Sequence, residues 1–445
     1  MYKSVLKHIP YFIVLISFII LACKRSDDNS WNSSKPYPIA DGTFIQDNLV
    51  AKWDDTQWQK ELGYLKEVGM HYLVFAPTLH TDNQGISTII YPESLPGVNV
   101  KYQADLVDNC LRNAQKAGFK VFLGLNFNEK WWSASFTPEW LYGEMEIGNQ
   151  LADDLTKRYK DLYKETMYGW YWVWEVDNLN CTTTERQDVL TRALNLNIDH
   201  LNLITPSMPF MLCPFVNYRV GSSNENRKMW QYVFSGTHFR EGDIFAPQDC
   251  VGAGGLELDM VDQWFSDMNE AVKSKPGLLY WSDSETFDQR FWTSAPLDRF
   301  VEQLRIEKPY VSNFLTFAYS HYYSPLKNLP GYHEAYLEYV KTGSLPLDVI
   351  PPPVDNLIVF SDSQGGINLS WQEPKSKEHI AGYYIYKDDI LIENLQYKNN
   401  ISSITDFMDD ESPDNQSHKF EVCSYTFSGV TSSKNSINLK LNIIN

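Results

Sequence analysis

The sequence predicts a (β/α)8 barrel followed by an all-β sandwich of immunoglobulin type. Three observations predict it. Strand-like and helix-like segments alternate eight times within roughly 290 residues, the size of a single barrel. The strand-like segments are short and apolar throughout, as strands covered on both faces must be. Beyond Pro351-Pro352-Pro353 the helical periodicity stops and period-two alternation takes over.

The elements follow in order. Phe44-Ile45-Gln46 is the first candidate strand, and a helix from Asp54 carries Trp58, Leu62 and Leu65 on one face before Gly69. Tyr72 to Ala76 is strand two, closed by Pro77. Helix 102–117 has Leu106, Cys110 and Ala114 on one side and stops at Gly118; Phe119 to Leu125 is strand three. Helix 148–166 precedes strand four, Gly169 to Glu175. Helix 184–200 precedes strand five, Leu201 to Thr205. Helix 223–234, strand Ile244 to Ala246, helix 256–272 and strand Leu278 to Trp281 continue the alternation. Helix 297–306 leads to the eighth strand, Val311 to Ala318, and helix 332–341 follows it. An open doubly wound sheet is the alternative, but it favours a Gly-rich turn after strand one, where Gln46-Asp47-Asn48 stands instead.

The barrel is expected over residues 37–344, a stiff linker over 345–352 and the sandwich over 353–445. Ile367 to Trp371, Tyr383 to Tyr386, Phe420 to Cys423 and Ile437 to Leu441 alternate as sandwich strands do. With its Pro-rich entry, Trp371, Gly382-Tyr383-Tyr384-Ile385-Tyr386 and Tyr425, this region resembles a fibronectin type III module. The resemblance implies a spacer or a surface for protein partners, with Trp371 in the core.

Composition narrows the function. The chain has 445 residues, 43% hydrophobic, and a formal charge of -18. That charge repels phosphate backbones and argues against nucleic acid as a partner. Zinc-finger spacing, a Gly-rich phosphate loop and His-Glu-x-x-His do not occur, and no cofactor is expected. His80, His321 and Asp249 could reach one rim as a metal site, but no short-spaced ligand pair supports it, so no metal is expected either. Five cysteines beyond Cys23 are an odd number without recurrent spacing, which speaks against a disulfide scaffold.

The N-terminus reads as an address. Lys3 and Lys7 precede an apolar run from Ile9 to Ala22, too short for a comfortable membrane span. Ile20-Leu21-Ala22-Cys23 resembles a bacterial lipoprotein cleavage box. The resemblance implies a signal peptide over 1–22, a lipid on Cys23, a polar tether over 23–36, and a place in the bacterial cell envelope at the outer membrane. An uncleaved anchor is the alternative. The acidic pair Asp27-Asp28 is similar to surface-export signals, though Lys24 and Arg25 intervene.

In such a barrel the C-terminal strand ends hold the chemistry. Those ends supply Gln46; His80; Asn126, Asn128 and Glu129; Glu175 and Asp177; Ser207; Gln248 and Asp249; Asp283 and Glu285; and Ser320 and His321. Glu175 follows the apolar strand four and Glu285 lies four residues past Trp281 on strand seven. Carboxyls from these two strands can reach the barrel axis together. A carboxyl pair suits glycosidic bond cleavage, which needs one protonated and one ionised group. Asp249 is the rival; paired with Glu285 at larger separation it would serve an inverting route. Ten of the 14 tryptophans fall between residues 131 and 292. Trp131 or Trp132 could stack on a pyranose, and Trp281 could floor the pocket.

This layout resembles the large clan of retaining glycoside hydrolases on (β/α)8 barrels. The resemblance implies Glu175 as general acid/base and Glu285 as nucleophile. The clan's strand-four Asn-Glu is Trp174-Glu175 here, a departure that Asn178 or Asn128 would have to cover. Asp41-Gly42-Thr43-Phe44-Ile45-Gln46, Trp58, Leu62 to Gly69, Tyr171 to Glu175 and Pro247-Gln248-Asp249 resemble, over about residues 40–325, the bacterial family of unknown function numbered 4434. That family is described as glycosidase-like, which implies an oligosaccharide or polysaccharide partner, and the whole is similar to proteins of glycan-using bacteria of the Bacteroides type. A noncatalytic glycan-binding lipoprotein and a structural or protein-interaction lipoprotein are the alternatives.

Overall fold

The computed structural model describes residues 35–92, 95–133, 137–346, 349–361, 366–409 and 416–440. Cys23, the leader and nearly all of the tether lie outside them. Among the described residues no helix is long and apolar enough to cross a membrane.

Eight parallel strands close a barrel: β1 (Gly42–Ile45), β2 (Tyr72–Phe75), β3 (Lys120–Gly124), β4 (Met167–Trp172), β5 (Phe210–Leu212), β6 (Ile244–Phe245), β7 (Leu279–Glu285) and β8 (Asn313–Phe317). Each is followed by a helix: α1 (Asp55–Glu67), α2 (Leu106–Ala117), α3 (Pro138–Leu155), α4 (Thr184–Ile204), α5 (Ser223–Gly236), α6 (Val261–Lys273), α7 (Leu297–Glu307) and α8 (Gly331–Thr342). Local chemistry sets several starts. Asp54 and Gln57 form a reciprocal cap on α1, and Ser222 with Glu225 does the same for α5. Gly118, at φ +80°, ends α2 in a left-handed conformation open to glycine.

Strand alternation divides the side chains into two cores. Phe44, Tyr72, Phe122, Tyr171, Met211, Trp281 and Leu315 fill the barrel interior. Trp170, Trp172 and Trp174 point outward under the helices, where the Trp172 indole donates to Asn197 Oδ1 at 2.9 Å.

Two expectations fail. The fourth-strand helix α3 starts at Pro138 rather than 148, because Thr137 caps it and Leu141 and Met145 extend its buried stripe towards the N-terminus. The expected fifth strand, Leu201 to Thr205, is largely the last turn of α4. Leu194, Ile198 and Leu201 continue one buried helical stripe. The true fifth strand is Phe210–Leu212, so Ser207 precedes it and lies at the end of the barrel away from the C-terminal rim.

An unexpected four-stranded sheet sits beyond β2 and β3, built from Leu79–Thr81, Ser87–Ile89, Asn99–Val100 and Asn126–Asn128.

Among the described residues the C-terminal region has seven antiparallel strands: β9 (Asp355–Ser361), β10 (Ile367–Gln372), β11 (Ile380–Lys387), β12 (Ile390–Gln396), β13 (Asp406–Asp409), β14 (Ser417–Thr426) and β15 (Asn435–Lys440). One sheet runs β9-β10-β13 and the other β12-β11-β14-β15. Trp371, Ile385, Phe420 and Val422 share their core. Ala381 and Tyr425 pack instead into the barrel's outer core, so the two regions are joined by buried contact.

Candidate active site

A cavity of about 430 Å³ opens at the C-terminal ends of the barrel strands. Glu175, Gln248, Asp283 and Glu285 supply its polar wall, with Gln46 and His321. Phe44, Tyr171, Phe287, Trp292, Phe317 and Tyr322 supply the aromatic wall.

Strand parity explains the polar wall. On β7, Trp281, Asp283 and Glu285 alternate onto the inward face; Trp281 is deepest and packs on Tyr72 at 5.1 Å. Trp281 therefore belongs to the barrel filling beneath the cavity and is not one of its walls. Ser282 and Ser284 face outward, where Ser284 donates to Glu307 of α7 at 2.7 Å.

Glu285 is seated by backbone. The Ala253 N–H donates to its Oε2 at 2.7 Å. A side chain at Gly252 would place its Cβ 2.3 Å from the Phe287 carbonyl and 2.9 Å from that same Oε2, so the turn approaches closely only because residue 252 is glycine. Burial, then the Asp249 carboxyl, pushes Glu285 up to about 8, against the Ala253 N–H and the Arg299 guanidinium. Arg299 reaches the carbonyls of Glu285 at 3.0 Å and Phe287 at 2.6 Å.

Glu175 stands across the cavity. Burial pushes it up to about 7, and a hydrogen bond with Gln248 opposes the rise. Its backbone carbonyl accepts from the Trp131 indole at 2.8 Å. Asp283 is raised well above the carboxylate range by burial and by Glu285, Asp249 and Glu175.

Asp249 does not face the cavity. It is 0% exposed and lies behind β7. Its carboxyl accepts from Val251 N–H at 3.1 Å, from Glu285 N–H at 3.3 Å and from the Gln303 side chain. Adjacent strand residues point to opposite faces, so Gln248 enters the cavity and Asp249 cannot. An Asp249–Glu285 pair across a substrate is thereby ruled out.

The other expected wall residues are placed elsewhere. Asn126 donates to Glu144 at 3.0 Å and Asn128 to the same carboxylate at 2.7 Å, tying the outer sheet to α3. His80 meets Glu129 at 3.2 Å on that sheet. Asp177 accepts from Leu179 N–H at 2.9 Å and shapes its own loop. Asn178 likewise holds a loop, donating to the Asn217 carbonyl at 3.0 Å. Trp131 is buried and backs Glu175, while Trp132, 50% exposed, packs on Phe127 and Phe215 outside the cavity wall. His80, His321 and Asp249 do not converge, and among the described residues no group of three metal-ligating side chains forms. Cys110, Cys181, Cys213, Cys250 and Cys423 are buried free thiols.

Sequence reasoning missed Trp292. It is 60% exposed, adopts φ +51°, and lies parallel to Phe287 at 5.9 Å and 6°. A left-handed backbone is rare for so bulky a residue. No periodic signal marks Arg290-Phe291-Trp292, which lie in a loop.

The crowded carboxyls carry a stability consequence. Glu175, Asp283, Glu285 and Glu307 all hold their protons more tightly folded than unfolded. The folded chain then binds more protons than the unfolded one above about pH 4.5, so stability declines as pH rises. The contribution is full below the unfolded carboxyl values and is lost as pH climbs through about 7 and 8. Thermal midpoints measured at constant ionic strength are expected to fall from pH 5 to 8.5. A midpoint that rises over this interval would contradict the assignment.

Among solved structures, the chain is similar to a candidate alpha-L-fucosidase from Bacteroides thetaiotaomicron VPI-5482. Identity is 21% and the TM-score 0.55, over 68% of this chain and 93% of that one. It is more loosely similar to the endo-beta-1,4-mannanase of Thermotoga petrophila, at 14% identity and TM-score 0.43, over 92% of this chain and 99% of that one. The endo-1,4-beta-mannanase of Rhizomucor miehei stands at 13% and 0.44, over 64% and 86%. At 21% identity the likeness to the first of these is one of fold alone, a closed eight-stranded parallel barrel. No curated protein matches the chain. Residues 40–330 match the family described as Domain of unknown function (DUF4434), and the chain belongs to that family.

Proposed function

We propose that the chain is a glycoside hydrolase acting on neutral or weakly charged glycans, with Glu175 as general acid/base and Glu285 as nucleophile. The observation that carries this reading is the convergence of Glu175 and Glu285 on one cavity whose wall also holds the exposed indole of Trp292. Hydrolysis needs one carboxyl to protonate the leaving oxygen and one to act as a carboxylate. Two backbone N–H groups, of Gly252 and Ala253, and Arg299 favour the ionised form of Glu285, whereas Glu175 has Gln248 alone. Burial and Asp249 nonetheless hold Glu285 at about 8, above Glu175 at about 7, so the roles rest on the strand-four and strand-seven positions and the productive pair is the less populated protonation form; the chemistry calls for no cofactor.

The cavity also selects by charge. Among the described residues its walls carry carboxyls but no lysine or arginine, and burial lowers His321 to about 4, leaving it neutral. Uronates and sulfated sugars would find no cationic partner on that wall. Beyond the barrel, we read Cys23 as the lipid attachment that holds the enzyme at the outer membrane. The C-terminal sandwich is read as a fibronectin type III-like unit that can also meet protein partners.

The test is product release from a panel of neutral host and plant glycans, with uronate-rich glycans beside them, using the soluble form from residue 24. Release from a neutral glycan, with the product anomer retained, is expected. Inversion would recast Glu285 as the base that activates water. Binding without release from any glycan would favour a noncatalytic glycan-binding lipoprotein.

Trp292→Ala is expected to raise KM by about tenfold with kcat nearly unchanged, the pattern of a lost stacking surface that acts equally on ground and transition states. Trp292→Tyr should keep most of the affinity. Steady-state kinetics on the released glycan checks this, and an unchanged KM would remove Trp292 from the substrate path.

A further inference from the structure

The wall that carries Trp292 is a short hairpin held from the other domain. Phe287–Asp288 pairs with Thr293–Ser294, and between them the hairpin gives Phe287, Gln289 and Trp292 to the cavity. Two residue pairs make a ladder too short to be stable alone. The outer strand, Thr293–Ser294, is met by β12 of the sandwich. Asn394 Nδ2 donates to Thr293 Oγ1 at 2.8 Å. The Ser294 N–H donates to Gln396 Oε1 at 3.1 Å, and Gln396 Nε2 faces the Ser294 carbonyl at 3.5 Å. The Gln396 carboxamide thus replaces a missing neighbouring strand, pairing with both peptide groups of Ser294.

These amides are themselves fixed. Asn394 and Gln396 alternate onto one face of β12 and are both more than nine-tenths buried. Tyr425 Oη donates to Asn394 Oδ1 at 2.7 Å, and Gln396 Nε2 also donates to Tyr332 Oη of α8. Ser294 Oγ in turn donates to the carbonyl of Tyr322, another cavity wall residue, at 2.5 Å. A chain of satisfied polar groups therefore runs from Tyr425 of the sandwich, where it packs on the barrel, to the cavity.

We propose that the C-terminal sandwich is a positioning element of the binding cavity, in which Asn394 and Gln396 hold the Thr293–Ser294 strand and so fix the Trp292 ring over the bound glycan. The glycan in that sentence rests on the hydrolase reading above; the mechanical coupling does not.

The experiment uses the full soluble chain with Asn394→Leu and Gln396→Met, alone and together, which keep bulk while removing hydrogen bonds. Asn399→Ala is the control: its side chain crosses the same interface to the Pro325 carbonyl at 3.2 Å but does not touch the hairpin. Hydrogen exchange of a peptide spanning 286–295 is expected to speed up by about tenfold in the double variant, with the barrel and sandwich strands unchanged. The control should leave that peptide at the wild-type rate. Unchanged hairpin exchange, or acceleration throughout the sandwich, would overturn the coupling. On a glycan that the wild type cleaves, the double variant should raise KM severalfold and hold kcat within about twofold. An unchanged KM with a loosened hairpin would overturn the role in binding. In a chain that cleaves nothing, the exchange comparison still decides the coupling, so failure of the hydrolase reading is told apart from failure of this one.

Discussion

Replacing Glu285 by Gln is expected to reduce sugar release by on the order of 10⁴-fold while the fold stays intact. The amide keeps the shape of the carboxyl and can still accept from Ala253 N–H, so the 2.7 Å contact that orients the group survives. What disappears is the negative oxygen that the proposed mechanism needs to attack the sugar. The stability effect runs the other way. Glu285 is buried next to Asp249 and is raised to about 8, so ionising it in the folded chain is costly. A neutral amide removes that cost, and the variant's thermal midpoint at pH 8 is expected to match or exceed the wild type. Loss of activity with a preserved or higher midpoint separates chemistry from unfolding. Asp283→Asn is the companion measurement. Asp283 sits on the same inward face two residues earlier, and its Oδ1 is buried without a hydrogen-bond partner. A wild-type rate in E285Q together with a collapse in D283N would move the nucleophile one layer down the strand.

The barrel and the two carboxyls were legible because strand ends in a closed parallel barrel share one rim, so position along each strand already says which residues can meet. Glu175, Gln248 and Glu285 are reached by that rule alone. Asp249 shows where reading strand ends without parity fails: Ile244, Ala246 and Gln248 share the inward face, so the next residue must turn behind β7. Trp131 shows a second limit. Its place beside the rim suggested a platform, but its indole N–H needed an acceptor on burial and found the Glu175 carbonyl. Strand five was lost because Leu201 to Ile204 satisfies a short apolar strand and a helical stripe equally well, and the stripe that began at Leu190 wins. Trp292, Asn394 and Gln396 carry no local signature at all. The bond between Ser294 and Gln396 spans 102 residues, and no periodicity within either segment announces it.

Replacing Glu175 by Gln is expected to slow cleavage of the natural glycan by about 10²- to 10⁴-fold, the usual worth of a positioned general acid. The loss should depend on the leaving group. An aryl glycoside whose phenol departs without protonation needs no proton from Glu175 to form the glycosyl-enzyme, so that first step should fall far less than release from a sugar alcohol. The pH profile separates this role from a structural one. In the proposed mechanism the productive form carries a proton on Glu175, raised to about 7, and none on Glu285, raised to about 8. In the wild type kcat/KM should therefore follow a narrow bell with limbs near those values. The alkaline limb reflects loss of the Glu175 proton. In E175Q that limb should vanish and the rate rise to a plateau, because the influences on Glu285 are burial, Asp249, Arg299 and two backbone N–H groups, none of which the substitution removes. An alkaline limb that persists in E175Q would place the proton on another group. Asp283 is then the candidate, since it alone among the cavity carboxyls is raised by both Glu285 and Glu175.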